Sequence, residues 1–408
     1  MTNKPRILVV THQFTPHVSP RTTRWSILCE ELSNRGYEVH VITGTRQNQN
    51  KNKGYKVEYF GSDRLGTLIE STRKASNDLE ENNIIKEIFF FIVKKFYRLV
   101  YRSFAWPDYS MFWFFSVRRN ISNIPDYDIM ISVSLPFTSH LAAYSINKKK
   151  RKRWIMDIGD PFYLKKDAPE NNKFLYSYLN KYFENKLYKD ATKVVFTHTE
   201  SMEYHKKTFS ALKEKSSVLP PVFHTKKNDI SNNFDYNKTP LKVAYFGILT
   251  TGVRTPDNFL SFINDLDLKG IEFHWYTNQD SRKMIESTYS KLPYNYFHDL
   301  VTRDEALYLM HNEYHALLNL GNQNPFQLPS KVIEYISTGK PIVHFSEIMD
   351  DPAEAILKGK SNSIIINKNT NFDQVKKEFK EKMFSDNDIS SFDCYNSFSV
   401  VNELLKLI

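Results

Sequence analysis

Short apolar runs alternate along the chain with longer stretches in which apolar positions recur at helical spacing. The first run, residues 7–10, is separated from a second run at residues 37–43 by a polar loop, a helical stretch and a glycine. Similar runs follow at residues 129–133, 194–197, 316–320 and 342–345. This order predicts strands joined by helices, which is typical of an α/β protein with parallel sheets.

A residue pattern near the start of the chain recurs in its second half. Residues 35–43 read basic, Gly, apolar, Glu, apolar, His, apolar, apolar, Thr, and residues 269–277 repeat that order position by position. We therefore expect each half to begin with its own βαβ unit. Chance similarity of two buried strands stays open, because helix, glycine and strand follow one another in many α/β proteins.

The domain organisation follows from the stretch between the halves, which has the polar, proline-containing composition of a linker. We expect an N-terminal Rossmann-like domain at 1–215, a linker at 216–240, a C-terminal Rossmann-like domain at 241–395 and a C-terminal helix at 396–408 that could pack back on the first domain. Doubly wound sheets bind ligands at the carboxyl ends of their strands. The active site is therefore expected in a cleft between two facing domains.

Composition narrows the class of protein. Apolar residues make up 41% of the 408 residues and aromatic residues 14%, which excludes disorder for most of the chain. Lys and Arg outnumber Asp and Glu by 56 to 46, so the net charge of +10 favours partners that carry phosphate or an anionic membrane surface. Cys29 and Cys394 stand far apart, which argues against a thiolate zinc site or a disulfide scaffold.

The expected location is cytoplasmic. The isolated cysteines fit a reducing compartment, and the N-terminus has no apolar signal region. No run reaches the roughly 18 apolar residues that a membrane-spanning helix needs. We therefore expect a soluble protein or one that is peripheral at the inner face of the plasma membrane.

The most informative segment begins at Leu328. Ser330 is a candidate N-cap and Gly339 a candidate C-terminal stop, which predicts a two-turn helix at residues 331–338. Three apolar positions of this helix should pack on the sheet, namely Val332, Ile333 and Ile336.

The polar face of this predicted helix suggests a nucleotide site. Lys331 and Glu334 are three residues apart and share that face. The ammonium group and the free N–H groups of the helix start suit a diphosphate, and an ionised carboxylate accepts hydrogen bonds from ribose hydroxyls. A surface helix carrying an i,i+3 ion pair is the alternative.

Three strings carry a resemblance to a known family: LPSKVIEYISTGKP at 328–341, SPRTTRW at 19–25 and WIMDIGDP at 154–161. They resemble segments of GT-B glycosyltransferases, particularly family 4. The resemblance implies an α/β GT-B fold, with two Rossmann-like doubly wound domains facing across a cleft. It also implies that Glu334 binds the nucleotide ribose, that Lys331 lies near the diphosphate, that transfer retains the anomeric configuration and that the chemistry needs neither a metal nor another cofactor.

The sequence departs from the family pattern at three positions. Phe326 stands where many family 4 members have a second glutamate, Ile248 where they have an arginine, and Gly159 where the family segment that resembles 154–161 usually has an arginine. Arg254 is the nearest cation to Ile248 and could neutralise the departing diphosphate. A solvated loop arginine is the alternative for Arg254.

The candidate site residues form three groups. As catalytic residues we expect Lys331, Arg254 and Asp157. As donor-binding residues we expect Glu334, Ser330, Pro329, Leu328 and Gly247, and as acceptor-binding residues Arg21, Arg24, His12 and His140. Each of the last group has a structural alternative: solvated arginines at a helix start and hydrogen-bonded loop histidines. Asp157 has one too, as a capping or structural aspartate.

Two basic regions bear on a membrane contact. Residues 84–104 interleave aromatic and aliphatic residues with five cations, as an interfacial helix would, and residues 148–153 are six consecutive cations. A core helix and a solvated turn are the alternatives. No nucleic-acid-binding motif accompanies the charges, so nucleic acid is not an expected partner.

The predicted function is glycosyl transfer. The donor would be a nucleotide-diphosphate sugar and the acceptor a glycan or a lipid-linked molecule, in bacterial surface polysaccharide or glycolipid biosynthesis. One alternative is a non-catalytic GT-B protein that binds a nucleotide or a partner glycosyltransferase. A GT-B epimerase is a second, although no acid and base near the sugar can be assigned to it from the sequence.

Overall fold

The computed structural model describes residues 4–17, 19–46, 54–61, 104–165, 169–223, 240–266, 270–288, 294–325, 327–367, 369–382 and 389–408. The chain divides into two compact units. The first comprises Met1–Thr197, Met202–Leu219 and Val401–Ile408, and the second comprises His198–Ser201 and Pro220–Val400.

The first unit is built on a parallel sheet. Its described strands are β1 (Ile7–Thr11), β2 (Val39–Thr43), β3 (Lys56–Tyr59), β4 (Ile129–Ser134), β5 (Arg153–Ile158), β6 (Lys193–Phe196) and β7 (Ser216–Val218). They lie in the order β3-β2-β1-β4-β5-β6-β7, with Ile7 opposite both Val39 and Ile129. The order reverses between β1 and β4, which is the switch point of a Rossmann-like sheet.

Helices connect these strands. Among the described residues they are α1 (Pro20–Asn34), α2 (Met111–Arg119), α3 (Thr138–Lys150), α4 (Lys173–Asp190) and α5 (Thr199–Thr208). Local chemistry sets the start of α1, because the Ser19 hydroxyl accepts from the Thr22 N–H and Pro20 occupies the first turn. Asn172 caps α4 in the same way, through the N–H groups of Phe174 and Leu175.

The second unit repeats the plan. Its described strands are β8 (Leu241–Phe246), β9 (Ile271–Tyr276), β10 (Asn295–His298), β11 (Ala316–Leu320), β12 (Ile342–Ser346) and β13 (Ser363–Asn367), in the parallel order β10-β9-β8-β11-β12-β13. The helices that follow β8 are α6 (Asp257–Leu266), α7 (Gln279–Thr288), α8 (Arg303–Asn312), α9 (Ser330–Ile336), α10 (Pro352–Leu357), α11 (Phe372–Lys382) and α12 (Ser397–Leu407). The switch point lies between β8 and β11.

The predicted architecture is confirmed. The apolar runs are strands because both faces of each sheet are covered, and every residue of β1, β2, β4 and β11 is buried. The echoed strings at 35–43 and 269–277 end in β2 and β9, which hold the same place in their two sheets.

One predicted boundary needs correction. Residues 216–218 fall within the predicted linker, but they form β7 and pair with β6. This strand could not be predicted from the sequence, because an edge strand of three half-buried residues has no continuous apolar run. Residues 224–239, most of the predicted linker, lie outside the described residues.

The end of the chain belongs with the first unit. Residues Val401–Ile408 of α12 and its terminus group there. Arg35 Nη1 donates to Asn402 Oδ1 at 2.6 Å, and Arg153 donates to the Ile408 carbonyl. Across the described part of the chain, no helix has both the length and the apolar character needed to cross a membrane.

Candidate functional site

The predicted donor helix is α9, and its ends differ from the prediction. The helix begins at Ser330 with Pro329 in the N-cap position and no side-chain cap, and it ends at Ile336. Ser330 is therefore not the N-cap, because the fixed φ of Pro329 suits the position that enters the helix and leaves Ser330 inside it. Gly339 lies in the left-handed region at φ +70°, where the chain turns toward β12.

The inner face of α9 fixes the helix on the sheet. Val332, Ile333 and Ile336 are buried in the core beside β8 and β11, as predicted. Tyr335 is also buried, and its hydroxyl accepts a hydrogen bond from the Phe246 N–H at 3.0 Å, where β8 ends. Burial raises the pKa of this phenol. The opposite face of α9 is thereby held at the carboxyl edge of the sheet.

On that face, the Glu334 carboxylate lies between two cations. Lys331 Nζ donates to Glu334 Oε2 at 2.5 Å, and Arg303 Nε donates to Glu334 Oε1 at 3.0 Å. The three side chains are partly exposed. They carry a net charge of +1, which suits an anionic ligand, and the carboxylate still has lone pairs for hydroxyl groups.

Arg303 was missed by the sequence reasoning. It is the first residue of α8, after Thr302, whose hydroxyl caps the helix by accepting from the Glu305 N–H. The only sequence signal is a Thr-Arg-Asp-Glu string typical of a helix start, which says nothing about a partner 31 residues away. The contact depends on how the fold places α8, which follows β10, near α9, which follows β11.

Arg254 lies in the loop after β8, at the same edge of the second sheet. Its Nη2 donates to Asn322 Oδ1 at 2.7 Å, and its Nη1 lies 3.4 Å from the Tyr245 hydroxyl. Gly247, the first residue after β8, donates its N–H to the Tyr276 carbonyl and lies close to Tyr245. The guanidinium is thus oriented by neutral partners, which leaves its charge available to an anion.

Asn322, also missed by the sequence reasoning, joins two parts of the candidate donor site. Besides accepting from Arg254, it donates through Nδ2 to the Gln327 carbonyl at 2.7 Å. The Gln323 N–H donates to the Val253 carbonyl at 2.7 Å. The Arg254 loop and the segment that leads into α9 are therefore bonded to each other.

Three other residues were predicted to bind the donor, namely Leu328, Pro329 and Ser330. Leu328 packs against the core beneath α9 and Pro329 is buried. Nothing about the Ser330 side chain is described, and Phe326 lies outside the described residues. Ile248, which stands in place of the family arginine, is about half exposed at 49%.

In the first unit, Arg21 lies at the carboxyl end of β5. Its Nη1 donates to Asp160 Oδ2 at 2.8 Å, and both side chains are partly exposed. A Cβ atom on Gly159 would come within 3.2 Å of Arg21 Cδ. The aliphatic part of the Arg21 side chain therefore fills the space beside Gly159. In the family segment that residues 154–161 resemble, the position of Gly159 is usually an arginine.

The predicted roles of Arg24 and Asp157 need correction. Arg24 is 5% exposed and Asp157 is 0% exposed. Arg24 Nη1 lies 2.8 Å from both Asp157 carboxylate oxygens, Arg24 Nη2 donates to the Leu219 carbonyl, and Trp25 Nε1 donates to Asp157 Oδ2 at 2.6 Å. This buried network joins α1 to β5 and β7, so neither residue presents its charge to an acceptor or a sugar.

The two candidate histidines are neutral and enclosed. His140 is fully buried, its Nδ1 lies 2.7 Å from the Ser132 hydroxyl, and burial lowers its pKa to about 3. It therefore cannot touch an acceptor, which corrects its predicted role. His12 packs edge-on against Tyr109 and Trp113, and burial lowers its pKa to about 4. His12 remains at the carboxyl end of β1.

No group of His, Cys, Asp and Glu residues able to hold a metal ion occurs in the described ranges. The polar groups at the carboxyl edge of the second sheet are instead Lys331, Glu334, Arg303, Arg254 and Asn322. Two cations face a carboxylate there and a third is held by neutral groups. This donor set fits a ligand with both phosphate and hydroxyl groups.

Comparison with solved structures identifies the fold. Anabaena HepE in complex with UDP matches with a TM-score of 0.60 at 11% identity over 98% of each chain. A glycosyltransferase from Rickettsia africae matches with a TM-score of 0.62 at 10% identity, over 99% of this chain and 97% of that one. The lipopolysaccharide outer core galactosyltransferase WaaB matches with a TM-score of 0.57 at 12% identity over 98% of each chain. The chain has the GT-B fold.

The GT-B assignment rests on structure, since the sequence matches no family model and no curated protein. The likeness covers nearly the whole chain, so each Rossmann-like unit has a counterpart in these GT-B proteins. Within this GT-B chain, the Lys331, Glu334 and Arg303 cluster belongs to the second unit, and the Arg21–Asp160 pair belongs to the first.

Proposed function

We propose that the protein transfers a sugar from a nucleotide-diphosphate donor to a glycan or lipid-linked acceptor, with retention of configuration as in family 4. The observation that carries this proposal is the Glu334 carboxylate held between Lys331 and Arg303, with Arg254 in a loop at the same carboxyl edge of a doubly wound sheet. Support also comes from the GT-B fold and from a neighbour solved with UDP. Bacterial surface polysaccharide or glycolipid biosynthesis is the proposed setting.

The chemistry requires charge stabilisation more than a protein nucleophile. When the anomeric bond breaks, negative charge develops on the nucleotide diphosphate and positive charge on the sugar. Lys331 and Arg254 are the groups proposed to stabilise the diphosphate, and a partly buried site increases the effect of their charges. The departing phosphate is the proposed acceptor of the proton from the acceptor hydroxyl, so the reaction is proposed to need no metal.

The proposed location is the cytoplasm, with peripheral contact at the inner face of the plasma membrane. Of the two basic regions, residues 84–103 lie outside the described residues. Residues 148–153 comprise the last residues of α3, a turn at Arg151 and Lys152, and the first residue of β5, with Lys150 Nζ 3.4 Å from Asp126 Oδ1. This turn precedes β5 and so lies at the amino edge of the sheet.

A thermal-shift panel tests the donor site. UDP, GDP, ADP, CMP and dTDP are each added to the full-length protein and to its Lys331→Ala and Glu334→Ala variants. A ligand that binds only the folded state raises Tm, with about 2.7 kcal/mol of stabilisation at a hundredfold excess over Kd. We expect one nucleotide to stabilise the wild type and both variants to lose most of that effect.

A matched control distinguishes the loss of a binding site from the loss of an ion pair as such. Lys377→Ala and Glu381→Ala remove an exposed ion pair of the second unit that lies on α11. These variants should respond to the nucleotide as wild type does. If no nucleotide shifts Tm, or if the Lys331 and Glu334 variants respond like the controls, the donor-site assignment is wrong.

A second candidate is a non-catalytic GT-B protein that binds a nucleotide or a partner glycosyltransferase. The exposed Ile248 favours it, because it replaces an arginine expected next to the diphosphate. Turnover distinguishes the two: release of nucleoside diphosphate from a nucleotide sugar, dependent on an added lipid-linked or glycan acceptor, supports transfer. Nucleotide binding without any turnover supports the second candidate.

A further inference from the structure

Helix α4 exposes aromatic residues in its first turns and buries polar residues in its middle. Its buried residues are Asn180 and Glu184, at 2% and 0% exposure, together with Leu187 and Tyr188 in its last turns. Its outward positions include Phe174, at 94% exposure, and Tyr178, at 80%. Surface helices of globular proteins bury their apolar stripe, so the exposure of these two rings is opposite to what folding alone favours.

The outward apolar residues form one continuous stripe, which we call the aromatic face of α4. It consists of Phe174, Leu175, Tyr178, Leu179 and Tyr182. These positions recur at spacings of one, three and four residues, which places them on one side of a helix. The rings of Tyr178 and Tyr182 stack at 6.4 Å. Contiguous exposed apolar surface of this kind usually marks an interaction site.

The buried polar residues of α4 are hydrogen-bonded to the rest of the first unit, so the helix cannot rotate to bury its aromatic face without breaking these bonds. Asn180 exchanges hydrogen bonds with Asn171 and accepts one from Trp106 Nε1 at 3.0 Å. Glu184 accepts from the Tyr163 N–H at 3.0 Å and from the Tyr188 hydroxyl at 2.6 Å. Rotation would leave these buried groups without partners, at a cost that exposed apolar surface does not offset.

The charges around the aromatic face are mostly positive. Helix α4 carries four lysines, Lys173, Lys181, Lys186 and Lys189, against two acidic residues, the buried Glu184 and its last residue, Asp190. Aromatic residues flanked by lysines are typical of a helix lying in the headgroup region of an anionic bilayer. A second copy of the chain fits less well, since it would bring the same lysines, and a net charge of +10, against themselves.

The aromatic face begins at the edge of the first sheet where the candidate acceptor residues lie. The loop from β5 to α4 contains Asp160, which pairs with Arg21, and α4 starts at the end of that loop. A helix that follows a parallel strand begins at the carboxyl edge of the sheet. Phe104 adds a further exposed ring there, and its carbonyl accepts from the Tyr176 hydroxyl at 3.0 Å.

We propose that the aromatic face of α4 docks on an anionic lipid surface. Phe174, Leu175 and Tyr178 enter the interfacial region, and the neighbouring lysines contact the headgroups. This surface lies on α4 and shares only the neighbouring Phe104 with the basic regions at 84–104 and 148–153, and its binding requires no turnover. It therefore stands or fails independently of the proposed donor chemistry.

Vesicle flotation of the full-length protein tests the proposal. Vesicles of phosphatidylcholine alone are compared with vesicles containing 30% phosphatidylglycerol, a proportion of about one anionic lipid in three. We expect binding to the anionic vesicles, which salt weakens. The Phe174→Ser/Tyr178→Ser variant should reduce the partition coefficient about tenfold or more, because two aromatic side chains no longer leave water. Lys181→Gln should reduce it about fivefold, and only with anionic vesicles.

The control variant is Tyr308→Ser/Phe398→Ser. It removes two aromatic residues of the second unit, which are 61% and 62% exposed, and leaves the net charge unchanged. It should bind vesicles as wild type does, and both double variants should keep the wild-type melting temperature and circular dichroism.

Two results would overturn the proposal. One is unchanged vesicle binding by Phe174→Ser/Tyr178→Ser, which means that the aromatic face does not touch lipid. The other is a wild type that does not bind the anionic vesicles. If that protein also sediments as a dimer, which the same variant dissociates, the occupant of the aromatic face is a second copy of the chain.

Discussion

Arg303 Nε donates to Glu334 Oε1 at 3.0 Å while Lys331 holds the other carboxylate oxygen. Each oxygen of Glu334 thus has its own cationic partner, and the two partners come from different helices. A carboxylate held at both oxygens has little freedom to rotate. Its remaining lone pairs have fixed directions, which is the condition for recognising two adjacent hydroxyl groups.

We predict that Arg303→Ala lowers the discrimination between ribose and deoxyribose. In the wild type, the nucleoside diphosphate that stabilises the protein should bind about tenfold more tightly than its 2′-deoxy analogue, because one hydrogen bond to a charged group contributes about 1.5 kcal/mol. Glu334→Gln should abolish most of this preference. Arg303→Ala should reduce it without changing the affinity for the deoxy analogue to the same degree, as titration calorimetry would measure.

The control for this prediction is Arg282→Ala, which removes another arginine of the second unit that is paired with a glutamate, Glu286. It should leave both affinities unchanged. An equal loss of affinity for the two nucleotides in Arg303→Ala would mean that Arg303 contributes only its charge. An unchanged preference in Glu334→Gln would instead count against the ribose-binding role of Glu334.

The contact between Lys331 and Glu334 could be predicted from the sequence, whereas the burial of Arg24 and Asp157 could not, for a physical reason. Lys331 and Glu334 are close in sequence, so helical spacing alone brings them together. Arg24 and Asp157 are 133 residues apart, and no local pattern tells a buried pair from two surface charges. Arg303 and Asn322 were missed because their partners depend on the order of the strands.

We predict that Arg24 and Asp157 support stability. Asp157→Ala leaves a buried guanidinium without its carboxylate, and Arg24→Ala leaves the converse, so each should cost about 3 to 5 kcal/mol of unfolding free energy. Arg21→Ala removes a partly exposed pair with Asp160 and should cost about 1 kcal/mol or less. Denaturant unfolding measures all three. A fully stable Asp157→Ala protein that has lost only its activity would restore the catalytic interpretation.

Gly321 lies where the backbone after β11 meets the Asp351 carboxylate. A Cβ atom there would lie 2.0 Å from Asp351 Oδ2 and 3.1 Å from the Phe345 carbonyl oxygen. Asp351 is buried and caps α10 through the N–H groups of Ala353 and Glu354, so it cannot move away without losing that cap.

Gly321→Ala should therefore destabilise the second unit by about 2 to 4 kcal/mol, the combined effect of overpacking and a lost cap. Gly252→Ala is the matched control, because Gly252 has open space around it and a φ of +77°. That substitution should cost only about 1 kcal/mol of backbone strain. Equal costs measured by thermal unfolding would show that Asp351 moves without loss.

We predict that the buried carboxyl group of Glu184 makes the free energy of unfolding depend on pH. Burial raises the pKa of its carboxyl group to about 7, against hydrogen bonds from Tyr188 and Tyr163 that lower it. The folded state therefore binds this proton more tightly than the unfolded state. Proton binding at Glu184 therefore stabilises the folded protein fully below the unfolded pKa of 4.5. This contribution to the free energy of unfolding falls as the pH rises toward 7 and is lost above pH 7, a change of roughly 3 kcal/mol.

Glu184→Gln should remove this pH dependence while keeping the packing. Its amide oxygen can accept from the Tyr163 N–H and its amide nitrogen can donate to the Tyr188 hydroxyl. His12 and His140, whose lowered pKa values make stability rise with pH, are present in both proteins. The difference in unfolding free energy between variant and wild type therefore isolates Glu184. Measured by denaturant unfolding, it should shift in favour of the variant by about 2 to 3 kcal/mol between pH 5 and pH 8. A difference that is the same at both pH values would show that the Glu184 carboxyl group ionises normally in the folded protein.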